Sequence, residues 1–311
     1  MIRVENLTKE FSSGLMGKYR TIAVNDVSFE IKEGEIVSLI GESGSGKTTI
    51  GKMILRILKP TKGKIFLNGE DIYNYKPQEF YRKVQGVFQD PFSSFNPIYK
   101  VDRVFDVVYE SLLNRKKMDR DEVERALMIV GLNPKDVLGK YPHQLSGGQL
   151  QRVLIARALV IGARFLVADE IISMLDASTR IDVLNVLGEL KKSRKMSILF
   201  ITHDLSLGYY ISDKILIIYK GHIVEAGDTR KVFSNPLHPY TKMLFSSVPT
   251  INKKWEEKEV EYVEEDRKIE KENVCPYYPR CQFKAEKCFK KPELVKYEKD
   301  HYVACTLYDR R

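Results

Sequence analysis

Ile36-Val37-Ser38-Leu39-Ile40-Gly41-Glu42-Ser43-Gly44-Ser45-Gly46-Lys47-Thr48-Thr49 is the stretch that decides the fold of this 311-residue chain. A short apolar run reads as a buried strand, glycines follow at once, and a helical pattern begins near Thr48 and continues to Leu58. Glycine, four residues, then Gly-Lys-Thr is the spacing of a loop that cradles phosphate. Each residue type has its own reason to be there. The glycines let successive backbone N–H groups face inward around phosphate oxygens, where a Cβ would obstruct the turn. The helix that follows brings the positive end of its dipole to the same point. Lys47 supplies a mobile cation for the β- and γ-phosphates, and the Thr48 hydroxyl is the expected Mg²⁺ ligand.

Working outward, Phe165-Leu166-Val167-Ala168 and Ile198-Leu199-Phe200-Ile201 are two more buried-strand runs. They end in Asp169-Glu170 and Thr202-His203-Asp204. Strands alternating with helical patterns indicate an α/β sheet, and catalytic groups in such sheets sit at the carboxyl ends of the strands. Three strand ends therefore point at one site. Beside a phosphate loop, Asp169 would hold Mg²⁺ and Glu170 would orient and deprotonate an attacking water. Without that loop, the pair would read as a helix N-cap.

Leu145-Ser146-Gly147-Gly148-Gln149 precedes another helical pattern. Taken alone it is a serine N-cap beside glycines. As an anion site it repeats the logic of backbone N–H groups and a helix N-terminus, but without a lysine. One domain hardly needs two γ-phosphate cradles, so the economical reading is that this one completes the site of a second copy.

Residues 91–162 separate the first strands from the second group, and their patterns are helical over 104–113, 121–130 and 149–160. They read as an inserted helical subdomain. The expected division is a nucleotide-binding domain over 1–250, a charged linker over 251–273, and a cysteine-containing extension over 274–311.

With these motifs in order, the chain resembles the ATP-binding cassette (ABC) ATPases over residues 1–250. The phosphate loop matches 41–49, the Q-loop glutamine Gln89, the signature 145–149, the Walker B end Asp169-Glu170, the D-loop Ser173-Met174-Leu175-Asp176, and the switch histidine His203. The resemblance implies a P-loop NTPase fold of the α/β class. It also implies two cassettes packed head to tail with two ATP molecules and Mg²⁺ between them. Gly41, Ser43, Gly44, Ser45, Gly46, Lys47, Thr48 and Thr49 of one cassette would face Ser146, Gly147, Gly148 and Gln149 of the other. Ser146 would donate to the partner's γ-phosphate. Gln89 would sense Mg²⁺ and the γ-phosphate, His203 would bond the γ-phosphate, and Asp176 belongs to the D-loop. The adenine-stacking aromatic falls on Tyr19, with Phe11 as the other choice. Where the family usually has proline after the catalytic glutamate, this chain has Ile171-Ile172.

Asn235-Pro236-Leu237-His238-Pro239-Tyr240-Thr241, Phe88-Gln89-Asp90-Pro91 and Tyr141-Pro142-His143-Gln144 are similar to the ATP-binding subunits of oligopeptide/dipeptide and nickel importers. The partners then implied are a second cassette, identical or related, two membrane permease subunits and, indirectly, a solute-binding protein. Relatives of this type also carry oligosaccharides. The place implied is the cytoplasmic side of the cell membrane.

The 51 Lys and Arg against 42 Asp and Glu leave +9, but the cations are spread among acids, so no nucleic-acid partner is expected. A soluble ABC ATPase acting on nucleic acid or ribosomes has that charge as its only support. No run of about 18 apolar residues is present, so no segment should span a membrane. Met1-Ile2-Arg3-Val4 enters structure without a leader pattern. All four cysteines, Cys275, Cys281, Cys288 and Cys305, fall after residue 274. Four thiolates can hold a [4Fe–4S] cluster or one Zn²⁺, or form two disulfides. Tight C-x2–4-C pairs are lacking, which favours iron–sulfur over zinc.

Overall fold

The computed structural model describes residues 1–13, 19–115, 117–246 and 274–309. The charged stretch 251–273 lies outside the described residues. In chain order the strands are β1 (Ile2–Ser13), β2 (Tyr19–Ile31), β3 (Ile36–Ile40), β4 (Lys62–Leu67), β5 (Glu70–Asp71), β6 (Val84–Val87), β7 (Phe165–Asp169), β8 (Ser197–Thr202), β9 (Lys214–Tyr219), β10 (His222–Asp228), β11 (Val295–Glu298) and β12 (His301–Val303). The helices are α1 (Lys47–Ile54), α2 (Pro77–Lys83), α3 (Arg103–Ser111), α4 (Arg120–Ile129), α5 (Gly147–Ile161), α6 (Ala177–Arg194), α7 (Leu205–Ile211), α8 (Thr229–Ser234) and α9 (Pro239–Ser246).

The main sheet runs β11-β12-β10-β9-β3-β8-β7-β6, and a second, antiparallel sheet runs β2-β1-β4-β5. From β9 to β6 the pairs are parallel, which requires crossovers and leaves both faces covered. That is why β3, β7 and β8 read as unbroken apolar runs and every residue in them is buried. Period-2 alternation divides them between two cores. Ile36, Leu166, Ala168, Ile198 and Phe200 face a core built with α3 to α6. Val37, Leu39, Val167, Leu199 and Ile201 face a core shared with α1 and the antiparallel sheet.

Between β6 and β7 the described elements are all helical: α3, α4, α5 and short 3-10 turns. Helix α5 starts on a capping box, in which the Ser146 hydroxyl accepts from the Gln149 amide while the Gln149 side chain accepts from the Ser146 amide. It ends on Gly162 in the left-handed region. No described helix is long and apolar enough to cross a membrane.

The cysteine-bearing extension continues the main sheet. Strand β12 pairs antiparallel with β10, and β11 adds the outermost strand. Its anchor is Glu225, which is fully buried on β10. The carboxylate accepts from the Leu237 amide at 2.9 Å, the His238 amide at 2.8 Å and His301 Nε2 at 2.8 Å. The Pro-Leu-His-Pro stretch thus turns the chain at that carboxylate, and the tail locks over it. Glu225→Ala would strand three buried donors, and we expect a loss of about 3 kcal/mol in unfolding free energy, read by urea titration.

Candidate active site

Strand order builds the site. Strand β8 lies between β3 and β7, with Ile40 opposite Thr202 and Asp169 opposite Ile201. The loop after β3, the carboxylates after β7 and the histidine after β8 therefore leave the sheet side by side. Strand β6 joins them, with Val87 opposite Ala168, so Gln89 emerges next to Asp169.

The loop 41–46 passes into α1 through Gly46, whose φ of 103° only glycine adopts without strain. A Cβ there would also lie 2.3 Å from the Ala23 carbonyl oxygen of β2. Ser43, Gly44 and Thr48 are open to solvent, Gly41, Ser45 and Lys47 are buried, and Thr49 is half-buried. The Ser45 hydroxyl is buried without a hydrogen-bond partner. Lys47 Nζ donates to the carbonyls of Gly41 at 2.8 Å and Glu42 at 2.9 Å. Burial lowers the lysine pKa, against the opposing pull of Glu170, Asp169 and Glu42. The Thr48 hydroxyl donates to Asp169 Oδ1 at 3.3 Å. Burial raises the Asp169 pKa, and that hydrogen bond partly offsets it.

A hydroxyl and a carboxylate meeting at one point are hard oxygen donors of the kind Mg²⁺ takes. An orphaned serine hydroxyl and a buried ammonium beside them fit a polyphosphate. The residues present therefore suit Mg-nucleotide.

Glu170 adopts φ +50°, a left-handed conformation unusual for a side chain with a Cβ and typical of functional turns. His203 Nδ1 lies 3.5 Å from its Oε1. Ile171-Ile172 hold this turn without a proline for a physical reason. Ile171 and Ile172 are 1% and 2% exposed in the α3–α6 core, and the Ser173 amide and hydroxyl both bond the Glu170 carbonyl. Buried isoleucines and a serine staple hold the turn that a proline would otherwise stiffen.

The signature segment is not gathered with these groups: among the described residues no hydrogen bond joins 145–149 to 41–49. Ser146 and Gln149 spend their side chains on the capping box. Gly148 packs on the D-loop helix, where a Cβ would lie 2.1 Å from Thr179 Cγ2. Asp176 caps α6, accepting from the Thr179 amide and from the Ser178 and Thr179 hydroxyls, and these bonds hold its pKa well below the usual carboxylate range. Gln89 is exposed. The side chain of Tyr19 lies outside the described residues, and Phe11 is exposed with Lys9 Nζ over its ring at 5.2 Å.

Two bracing residues were not singled out by sequence reasoning. Gln151, fully buried on α5, donates to the Phe88 carbonyl at 3.1 Å and ties the signature helix to the segment that carries Gln89. The Tyr240 hydroxyl accepts from the Glu42 amide at 3.0 Å. The two-residue step from Gln149 to Gln151 was visible in the sequence, but nothing there said which main-chain oxygen it would meet.

The four cysteines line one cavity together with His238. All four are free thiols. Burial pushes the Cys275 pKa up to about 12 and raises those of Cys281 and Cys305. The cavity is about 10 Å³, room for one water-sized group. Among the described residues no group of three or more His, Cys, Asp or Glu is arranged to hold a metal ion. The expected four-cysteine donor set is therefore brought together around one space but not drawn to ligating positions. An iron–sulfur cube is larger than this cavity, which would have to open to admit it.

Lys47→Ala removes the ammonium, and we expect ATP affinity to fall by roughly two orders of magnitude with folding retained, measured by titration with a fluorescent ATP analogue.

Comparison with known proteins agrees with this geometry. Residues 24–173 match the ABC transporter family, and residues 224–288 match the oligopeptide/dipeptide transporter C-terminal region. The chain is 39% identical over 309 residues to the oligopeptide transport ATP-binding protein AmiF of Streptococcus pneumoniae, covering 97% of this chain and 94% of that protein. It is 44% identical over 260 residues to the dipeptide transport ATP-binding protein DppF of Lactococcus lactis, covering 80% and 81%. A dimeric ATP-binding cassette solved in a post-hydrolysis state with ADP and Pi aligns with a TM-score of 0.64 and 27% identity, over 74% of this chain and 99% of that one. Phosphate loop, carboxylate pair and histidine at neighbouring strand ends, a signature segment heading α5, and these matches place the chain in the ABC transporter family, among its oligopeptide/dipeptide transport ATP-binding proteins.

Proposed function

We propose that this chain is the ATP-hydrolysing subunit of a peptide importer, working at the cytoplasmic face of the cell membrane beneath two permease subunits that an external solute-binding protein supplies. One observation carries the reading. Lys47, the Thr48–Asp169 pair and the Glu170–His203 pair sit at adjacent strand ends, whereas Ser146 heads a helix that makes no bond to them. A half-site without its signature is completed by a second cassette facing it head to tail.

In that arrangement the 41–49 loop amides and Lys47 hold the β- and γ-phosphates, and the partner cassette's signature serine donates to the γ-phosphate. Thr48 and Asp169 would hold Mg²⁺, with Gln89 reaching it from β6, and the ion would neutralise charge building on the phosphate oxygens. Glu170 Oε takes a proton from water as the water oxygen bonds to the γ-phosphorus. The bond to the β,γ-bridging oxygen breaks, and ADP and phosphate leave. His203 holds the γ-phosphate and keeps the Glu170 carboxylate oriented.

Residues 91–162 act as the transmitting subdomain. Support comes from a groove of about 440 Å³ lined by Gln85, Ser94, Phe95, Tyr99, Val107 and Arg157. Gln85 is on β6, four residues before Gln89, and Ile98 beside the groove is 77% exposed. An apolar permease segment seated there would feel movement of the γ-phosphate sensor. The four cysteines line one cavity and, once drawn to ligating positions, would hold a [4Fe–4S] cluster, with Zn²⁺ as the alternative occupant.

Glu170→Gln should bind ATP yet fail to turn it over, and the trapped closed pair should elute at twice the monomer mass in the presence of Mg-ATP. Full turnover by that variant removes Glu170 as the base. Anaerobically purified protein should be brown with broad visible absorbance. A colourless protein carrying one zinc per chain would overturn the iron–sulfur reading.

A further inference from the structure

The cysteine-bearing tail touches the phosphate loop. Arg280 Nη1 donates to both carboxylate oxygens of Glu42, at 3.1 Å and 3.0 Å. Glu42 is the second residue of the loop, and its carbonyl is one of the two that receive Lys47 Nζ. Its amide is held by the Tyr240 hydroxyl. One residue thus has its side chain fixed by the tail, its N–H by α9 and its C=O by the catalytic lysine.

The pair is sheltered, with the Arg280 and Glu42 side chains 32% and 40% exposed. Behind it the Arg280 guanidinium lies 5.9 Å from the ring centres of both Tyr219 and Tyr277. The rings of Tyr219, Tyr240 and Tyr277 pack on one another at 4.6 to 5.5 Å. Cys281 is the next residue, and it lines the thiol cavity. The Arg280 and Cys281 amides close consecutive turns onto the Tyr277 and Tyr278 carbonyls. A displacement of Cys281 therefore moves the guanidinium, and a displacement of the guanidinium is felt at Glu42.

We propose that Arg280 is a positioning residue of the nucleotide site: through Glu42 it sets the phosphate loop from the cysteine-bearing tail, so that rearrangement at Cys281 alters ATP affinity. The device acts on binding, because Glu42 touches the loop and Lys47 but not Glu170 or His203. It rests on the loop being the ATP site, and ATP binding by the unaltered protein checks that separately.

The test uses the full chain and equilibrium binding of Mg-ATP, with KM, kcat and melting temperature measured alongside. Arg280→Ala should weaken ATP binding and raise KM by about fivefold, with kcat within about twofold of the unaltered protein, as expected for losing a half-buried ion pair. Arg280→Lys should recover most of the loss. Glu42→Gln should weaken binding similarly and, combined with Arg280→Ala, add little further. Cys281→Ser should shift ATP affinity in the native background but not in Arg280→Ala. Should Arg280→Ala fail to fold, Glu42→Gln decides, compared with the unaltered protein at a temperature where both are fully folded. Unchanged ATP affinity in folded Arg280→Ala or in Glu42→Gln, or fully additive effects of the two, would overturn the proposal.

Discussion

The hydrogen-bonded register of β3, β8 and β7 is the constraint on which the rest depends. Parallel pairing sets Ile40 beside Thr202 and Asp169 beside Ile201, so three loops with different chemistry leave one sheet edge together. The pairing survives because both faces of these strands are buried, by helices on one side and by α1 and the antiparallel sheet on the other. A slip of one residue would exchange the two faces and move Asp169 away from Thr48. Packing and chemistry are thus specified by the same alternation of side chains.

Burial also sets the electrostatics. Lys47 and Asp169 are both taken from water, which lowers the lysine pKa and raises that of the aspartate. A desolvated cation next to desolvated carboxylates has most to gain from a phosphate and a divalent ion, whose charges meet both needs at once. The strained turn at Glu170 is held by apolar residues: Ile171 and Ile172 are core side chains. Burial thus carries the loop geometry at the position where the resemblance leads one to expect proline.

The tail shows how a short segment finds stability without a core of its own. It lends β11 and β12 to the main sheet and fastens His301 to Glu225, a carboxylate that also turns the Leu237–His238 main chain. Cys275 and Cys281 then pack against Tyr277, in the same cluster as Ile40 of the strand before the phosphate loop. Proximity of the cavity to the nucleotide site is a consequence of adding strands to the free edge next to β10.

Much of this was legible from residues alone. The strand–glycine–helix order at 36–58, the apolar runs ending in Asp169-Glu170 and His203, and the helical period of 104–160 are local patterns, and local patterns report secondary structure and motif chemistry. Ser146 as a cap was equally readable, since capping involves residues three apart. What the sequence could not contain was pairing at a distance. That β8 lies between β3 and β7, that Gln151 meets the Phe88 carbonyl, that Glu225 anchors His301 and that Arg280 reaches Glu42 all depend on where strands separated by tens to hundreds of residues come to rest. Sheet register and shared burial decide those contacts, because hydrogen-bonding groups and apolar faces find partners only once the whole chain has packed.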